Sequence, residues 1–244
     1  AAWLQNRLIA LGWTAEADEF TEPAGGRPTT FRNVIGRRRT ASSRPIVIFG
    51  AHYDTKGGIP NFEGANDSGS GVGVVLELAR AGAAWHWPFE PWLVFFDGEE
   101  CRVAYGPDDG LHGSRRLARQ LVRDGVAPRV RAVIIVDMVG DRDLGFTLPR
   151  NSTPALAGAV LRAAERLGIR ELVRLAPGTI LDDHQPFLDA GMPAVDLIDF
   201  EYGSAPGRND YWHTPQDTLE RLSPRSLELA ARLALATALE AVAS

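Results

Sequence analysis

Two adjacent glutamates, Glu99 and Glu100, stand at the end of the stretch PWLVFFDGEE, which covers residues 91–100. A carboxylate can ligate a metal ion or transfer a proton, and neighbouring glutamates can divide these tasks because their side chains point in different directions. The alternative is a solvated acidic turn, and this stretch by itself supports either interpretation. The other histidines and carboxylates of the chain have to decide between them.

Further side chains that can ligate metals follow other apolar segments. Each has an ordinary explanation when it is taken alone, because carboxylates after strands cap helices and histidines pack in cores. Together they fit a catalytic zinc, which takes about three nitrogen or oxygen ligands and keeps one position open. These side chains are His52, Asp54, Asp67, Asp137, Asp182, Asp183, His184 and His213.

Continuous apolar runs at residues 45–50, 92–96 and 130–136 precede several of these side chains. Continuous rather than alternating hydrophobicity predicts strands that are buried on both faces, as in a mostly parallel sheet covered by helices. Ligands of such sheets bind beyond the carboxyl ends of the strands. We therefore expect the candidate metal ligands to meet at one edge of the sheet.

Strand and helix patterns alternate along the rest of the chain. Residues 13–20 and 30–35 predict an antiparallel lead-in, and residues 193–198 predict a further strand. Apolar residues at helical spacing predict helices at 1–12, 72–79, 114–123, 154–167 and 224–242. We expect a single α/β domain over residues 1–244, with a central, mostly parallel mixed β-sheet and helices on both faces.

The composition excludes several partners. A formal net charge of −5 and an isoelectric point near 5.6 argue against nucleic acid or an anionic membrane surface. No apolar run approaches the length of a membrane span, and Cys101, the only cysteine, rules out an intrachain disulfide. The chain begins with Ala rather than Met, so we expect a form from which a targeting segment has been removed. Lys56 is the only lysine, which suggests that its position requires an ammonium group.

Five ordered motifs resemble those of the zinc-dependent aminopeptidase-like superfamily. They are HYDT (52–55), GANDSGSG (64–71), FFDGEE (95–100), VDMVG (136–140) and WHT (212–214). Two branches of this superfamily compete. In the di-zinc aminopeptidases, the resemblance implies that Asp67 bridges two zinc ions, with His52 and Asp137 on one and Glu100 and His213 on the other. The animal-type glutaminyl cyclases bind one zinc and convert N-terminal Gln to pyroglutamate.

The sequence after Glu100 favours the cyclase branch. Twelve residues, 101–112, separate Glu100 from Gly113-Ser114, whereas aminopeptidases usually place their Gly-Ser within a few residues of the glutamate pair. The stretch DGLHGSRRLA at 109–118 is similar to the cyclase DSLYGSRHLA, and DDHQPFL at 182–188 is similar to DDHIPFL. We therefore expect a zinc-dependent glutaminyl-peptide cyclotransferase that releases ammonia from peptides or proteins with N-terminal Gln.

The cyclase resemblance implies a role for each matching residue. One zinc is held by Asp67, Glu100 and His213, and Glu99 moves a proton from the substrate amine to the leaving ammonia. Asp137 and Asp182 correspond to two carboxylates that bond to each other and share a proton, while His52 is left beside the metal ligands. The expected substrate pocket contains Trp212, Tyr105, Leu181 and Arg208, of which the last three depart from the usual cyclase residues.

A third possibility is a non-catalytic binding domain on a peptidase fold that has lost its activity. Such domains are expected to lose metal ligands, yet the three zinc positions and Glu99 are all filled here. We further expect a monomer that is secreted, periplasmic or attached to the cell envelope, as the resemblance implies.

Overall fold

The computed structural model describes residues 1–38 and 44–243, and its strands form one mixed sheet. The strands are β1 (Thr14–Ala24), β2 (Arg27–Arg37), β3 (Ile46–His52), β4 (Glu90–Phe96), β5 (Val130–Asp137), β6 (Phe146–Leu148), β7 (Val173–Leu175) and β8 (Ala194–Ile198). Their order across the sheet is β1-β2-β4-β3-β5-β8-β6-β7. The domain is therefore built around one sheet, as predicted.

The centre of the sheet is parallel. Strand β3 pairs in parallel with β4 on one side and β5 on the other, and β5 pairs in parallel with β8. Every residue of β3 is buried, which agrees with its continuous apolar sequence. The antiparallel lead-in is also confirmed, because β1 and β2 form a hairpin and β2 joins β4 in antiparallel orientation.

Helices cover both faces of the sheet. They are α1 (Ala2–Ala10), α2 (Gly71–Ala81), α3 (His112–Arg123), α4 (Pro154–Leu167), α5 (Gln185–Asp189) and α6 (Pro224–Ala243). Apolar residues of α1, α2, α4 and α6 pack with one face of the sheet, and residues of α3 with Phe187 of α5 pack with the other. Within the described residues, no helix has both the length and the apolar character needed to cross a membrane.

Three short elements, β6, β7 and α5, have no counterpart in the sequence analysis. Each strand has three residues and the helix has five, which is too short for an apolar period to stand out. Their positions depend on contacts with the rest of the sheet, such as the pairing of Thr147 with Ile198.

The fold brings the candidate ligands to one edge. His52 ends β3 and Asp137 ends β5, and the glutamate pair follows the end of β4. Because these three strands are parallel neighbours, their carboxyl ends lie side by side.

Candidate active site

Asp67, Glu100 and His213 meet beyond the carboxyl ends of the central strands. The Nε2 atom of His213 lies 3.1 Å from Oδ2 of Asp67 and 2.9 Å from Oε1 of Glu100. One ligand atom from each of the three residues lies within 4.8 Å of the other two. One nitrogen and two carboxylate oxygens converging in this way are a donor set that suits zinc.

Asp67 also belongs to a second group of ligand atoms. The Nε2 atom of His52 lies 3.1 Å from Oδ1 of Asp67 and 3.5 Å from Oδ1 of Asp137. Asp67 therefore presents one oxygen to each of the two histidines. His52, Asp67 and Asp137 could hold a metal ion of their own, so the arrangement is compatible with one ion or with two.

The electrostatics of both groups favour a bound cation. Although burial lowers the pKa of His213, its contacts with Asp67 and Glu100 raise that pKa to about 9. Burial also lowers the pKa of His52, but hydrogen bonds to Asp137, Asp54 and Asp67 raise it well above the usual value. Both histidines thus bind protons tightly, because the surrounding carboxylates stabilise positive charge.

Buried carboxylate oxygens support the same conclusion. Oδ2 of Asp67, Oε2 of Glu100 and Oδ1 of Asp137 are buried, and the cationic groups beside them are His213 at 3.1 Å, Lys56 at 3.4 Å and His52 at 3.5 Å. Buried carboxylate oxygens are costly unless a donor or a metal ion compensates them. The residues present therefore fit the zinc that the sequence motifs imply.

Glu99 is buried beside this group and is not one of its ligands. Burial raises the pKa of Glu99 well above its usual value, and the charges of Asp182, Asp183 and Glu100 raise it further, whereas His52 lowers it. A carboxyl group whose pKa is raised binds a proton more readily, which suits a group that has to accept a proton and return it. This property is what the predicted role of Glu99 requires.

A model of peptidase family M28 matches residues 33–238. The chain belongs to peptidase family M28. The match spans every ligand of the two candidate groups.

Similar proteins include several glutaminyl cyclases. The glutaminyl-peptide cyclotransferase-like protein of Mus musculus is 29% identical over 253 residues, which cover 92% of this chain and 64% of that protein. The chain thus spans less than two thirds of this relative's length. The crystal structure of an Acidobacteriales bacterium glutaminyl cyclase is similar with a TM-score of 0.88 and 33% identity, covering 99% of this chain and 85% of that one.

A Zn-dependent exopeptidase from Parabacteroides distasonis is also similar, with a TM-score of 0.84 and 27% identity, covering 98% of this chain and 87% of that one. Together these similarities confirm the α/β fold and the resemblance to glutaminyl cyclases within the zinc aminopeptidase-like superfamily. Because both kinds of enzyme share the fold, the choice between their activities rests on the site.

In this M28 chain the glutamate pair is held through its main chain. The carboxylate of Asp54 accepts the backbone N–H groups of Glu99 and Glu100, each at 3.1 Å. The carboxylate of Asp97, which precedes the pair, accepts the backbone N–H of Arg32 at 2.8 Å. Lys56 lies 3.4 Å from Oε2 of Glu100, so the only lysine lies beside a candidate metal ligand.

Asp217 is a site residue that the sequence analysis missed. Its carboxylate accepts the N–H groups of Asn66 at 2.7 Å and Asp67 at 3.0 Å, and the hydroxyl of Tyr202 at 3.0 Å. It therefore fixes the turn that presents the shared ligand Asp67. No strand precedes Asp217, so its sequence context carries no signal of this role.

The predicted carboxylate pair lies next to the ligands. Burial raises the pKa of Asp137 to about 7, and the nearby charge of Asp182 raises it while the hydrogen bond with His52 lowers it. Asp182 is buried as well, and Oδ1 of Asp137 lies 3.5 Å from Nε2 of His52. A shared proton between the two carboxyl groups stays a prediction.

The predicted pocket residues fall into two groups. Trp212 stacks on the ring of His213, with centroids 4.2 Å apart, and Phe62 meets the same ring edge-on at 6.3 Å. Phe62 is a second aromatic neighbour that the sequence analysis did not identify. By contrast, Leu181 is exposed, and Arg208 is exposed and pairs with Asp210 at 3.4 Å. Their contribution to a pocket stays a prediction.

Proposed function

We propose that this chain is a zinc-dependent glutaminyl-peptide cyclotransferase, which converts the N-terminal Gln of peptides or proteins to pyroglutamate and releases ammonia. The observation that carries the proposal is the convergence of Asp67, Glu100 and His213 beside the buried carboxyl group of Glu99. The similarity to glutaminyl cyclases and the cyclase-like sequence of the long segment after Glu100 favour this activity over peptide hydrolysis.

Asp67, Glu100 and His213 would hold the zinc. When bound there, zinc supplies a Lewis acid that polarises the side-chain carbonyl of the substrate Gln. The reaction joins two groups of the same residue, since the α-amine attacks the side-chain amide carbon. The protein therefore has to hold the substrate in a reactive conformation and to move one proton.

Glu99 performs the proton transfer in this mechanism. Its carboxylate accepts a proton from the attacking α-amine and returns it to the departing ammonia. The raised pKa of Glu99, caused first by burial, brings the affinities of the carboxylate and the amine for the proton closer together. Asp137 and Asp182 would bind the substrate's polar groups, with a proton on Asp137 that its pKa of about 7 makes available near neutral pH.

Trp212 would form a flat wall against the Gln side chain. Its position is fixed by stacking on His213 and by contact with Phe200, at 5.3 Å between ring centroids. An indole ring offers both apolar surface and an N–H donor, which suits a short side chain that ends in an amide.

A di-zinc aminopeptidase is the second candidate function. The observation that favours it is the group of His52, Asp67 and Asp137, which shares Asp67 with the first group and offers a second metal position. Because an exopeptidase with this fold is among the similar structures, the two activities have to be separated by their products.

Mass analysis of products from Gln-Xaa and Leu-Xaa peptides separates them. We expect the Gln peptides to lose one ammonia, and we expect neither peptide to release a free amino acid. Release of amino acids without loss of ammonia would refute the cyclase. A metal analysis of the same preparation adds a second criterion, since about one zinc per chain is expected for the cyclase and about two for the aminopeptidase.

The natural substrates, the oligomeric state and the compartment are separate proposals. We propose a monomer that is secreted, periplasmic or attached to the cell envelope. Size-exclusion chromatography with light scattering and cell fractionation test these two points.

A further inference from the structure

The hydroxyl group of Tyr105 contacts Glu99 directly. It lies 3.0 Å from Oε1 and 3.1 Å from Oε2 of that carboxylate and donates a hydrogen bond shared between them. A donor centred on both oxygens restricts rotation of the carboxylate about its last bond. The contact therefore acts on the group that transfers the proton, and it is distinct from a ring that merely lines the pocket.

The segment around Tyr105 is built to keep the ring in this place. The carboxylate of Asp109 accepts the backbone N–H groups of Arg102, Val103 and Ala104, at 2.8, 2.8 and 3.3 Å. Gly106 donates its N–H to the carbonyl of Asp109 at 2.9 Å, which closes the loop around the tyrosine. The loop is thus tied by its own hydrogen bonds on both sides of Tyr105.

Space for the ring depends on a glycine. Gly110 has a φ of +81°, and a Cβ atom at that position would collide with the ring of Tyr105. On another side of the ring, the Nζ atom of Lys56 lies 5.8 Å from its centroid. The ring thus packs against Gly110 and near Lys56 with its hydroxyl directed at Glu99.

The hydroxyl stays a donor under working conditions. Burial, followed by the charges of Glu99, Glu100 and Asp182, raises the pKa of Tyr105 far above its usual value of 10. A neutral phenol beside a carboxylate donates a charge-assisted hydrogen bond, which is stronger than one between neutral groups.

We propose that Tyr105 is a positioning residue, whose hydroxyl orients the carboxylate of Glu99 for proton transfer. This role rests on the proposed function in one respect, namely that Glu99 is the group that moves the proton. It assigns a specific contact to a residue at which this chain departs from the usual cyclase sequence.

Tyr105→Phe tests the proposal because it removes the hydroxyl and keeps the ring. Loss of a hydrogen bond to a charged group is expected to lower kcat about ten- to a hundredfold, with KM within about twofold of wild type and zinc content unchanged. Tyr53→Phe is the matched control, since its hydroxyl donates to the carbonyl of Arg32, at 2.7 Å, and interacts with Asp97 rather than with Glu99.

A double variant shows whether Tyr105 acts through Glu99. In a Glu99→Gln background, adding Tyr105→Phe should leave the residual turnover unchanged, because residues that act as a unit are not additive. An unchanged kcat in Tyr105→Phe, a loss that appears only in KM, or a further loss in the double variant would each overturn the proposal.

The same measurements keep the proposed function separate. The wild-type product, ammonia or free amino acid, identifies the reaction before any variant is compared. The kinetic effects of Tyr105→Phe are then measured on that reaction. An error in the proposed substrate can therefore be distinguished from an error in the proposed role of Tyr105.

Discussion

At the scale of single residues, Glu99→Gln separates proton transfer from metal binding. The amide keeps the shape of the side chain but cannot accept the amine's proton, so turnover should fall by about a hundred- to ten-thousandfold, the usual contribution of a general acid–base group. Zinc content should stay that of the wild type, because Glu99 is outside both ligand groups. Ammonia release and metal analysis on the same sample measure the two effects.

An exposed glutamate supplies the control for that change. Glu165→Gln makes the same substitution on the exposed surface of α4 and should leave turnover as it is. If Glu99→Gln retained wild-type turnover, Glu99 would have no part in moving the proton.

The site residues that could be predicted are those whose position in the sequence indicates a chemical role. Glu99, Glu100 and Asp137 follow apolar strands, so an edge site was expected for them before any coordinates. Asp217 could not be found in this way, because its effect passes through the main chain of Asn66 and Asp67. The hydrogen bond from Tyr105 to Glu99 could not be predicted for a similar reason, since it depends on the conformation of the loop that carries Tyr105.

At the scale of elements, the turn that presents Asp67 depends on a single carboxylate. Both oxygens of Asp217 accept backbone N–H groups of that turn, and an amide has only one oxygen to offer. Asp217→Asn should therefore weaken zinc binding about ten- to a hundredfold, as is typical for residues that orient ligands, and should lower the free energy of unfolding by about 1–3 kcal/mol.

Competition with a chromophoric chelator measures the zinc affinity, and urea unfolding measures the stability. Asp124→Asn is the matched control, because Asp124 is exposed after the end of α3. Zinc affinity equal to that of the wild type in Asp217→Asn would show that the turn holds Asp67 without this carboxylate.

Among the elements, the strands buried on both faces were the most predictable. The runs behind β3, β4 and β5 are apolar throughout, and burial on both faces is what such runs require. The hairpin β1–β2 extends beyond the predicted segments, because pairing continues through polar residues as far as Ala24 and Arg27. Cross-strand hydrogen bonds, rather than hydrophobic pattern, set those ends.

At the scale of the whole molecule, metal binding and folding are coupled. The carboxylates of Asp67, Glu100 and Asp137 are buried. Removing zinc should leave their negative charge compensated only by His52, His213 and Lys56, which destabilises the folded state. Treatment with a chelator should abolish turnover and lower Tm, and added zinc should restore both. Calorimetry in the presence and absence of chelator measures the change, and an identical Tm in both would contradict the coupling.

The α/β class was predictable at this scale, because strand and helix patterns alternate through one chain. The order of strands in the sheet was not, since pairing of β6 with β8 and of β2 with β4 joins segments that are distant in the chain. Nothing in a local pattern records such contacts.

The stability of the metal-free protein should fall as the pH rises from about 4 to about 7. Burial raises the pKa of Asp199 from its ordinary 3.8 to about 7, against the hydrogen bonds it accepts from Gly145 and Glu201. Within this window the folded protein holds a proton that the unfolded chain releases, so raising the pH favours unfolding. One such proton corresponds to a loss of about 1.4 kcal/mol per pH unit, complete once the pH passes the folded pKa.

Asp199→Asn removes this proton and should make the decline less steep by up to that amount. No gain in stability is expected from the variant at low pH, where Asp199 is neutral in both states, so the slope is the quantity to compare. Urea unfolding at several pH values, with chelator present throughout and Asp124→Asn as the control, provides it. Equal slopes for wild type and Asp199→Asn would mean that Asp199 is ionised in the folded protein, with its two backbone N–H donors outweighing its burial.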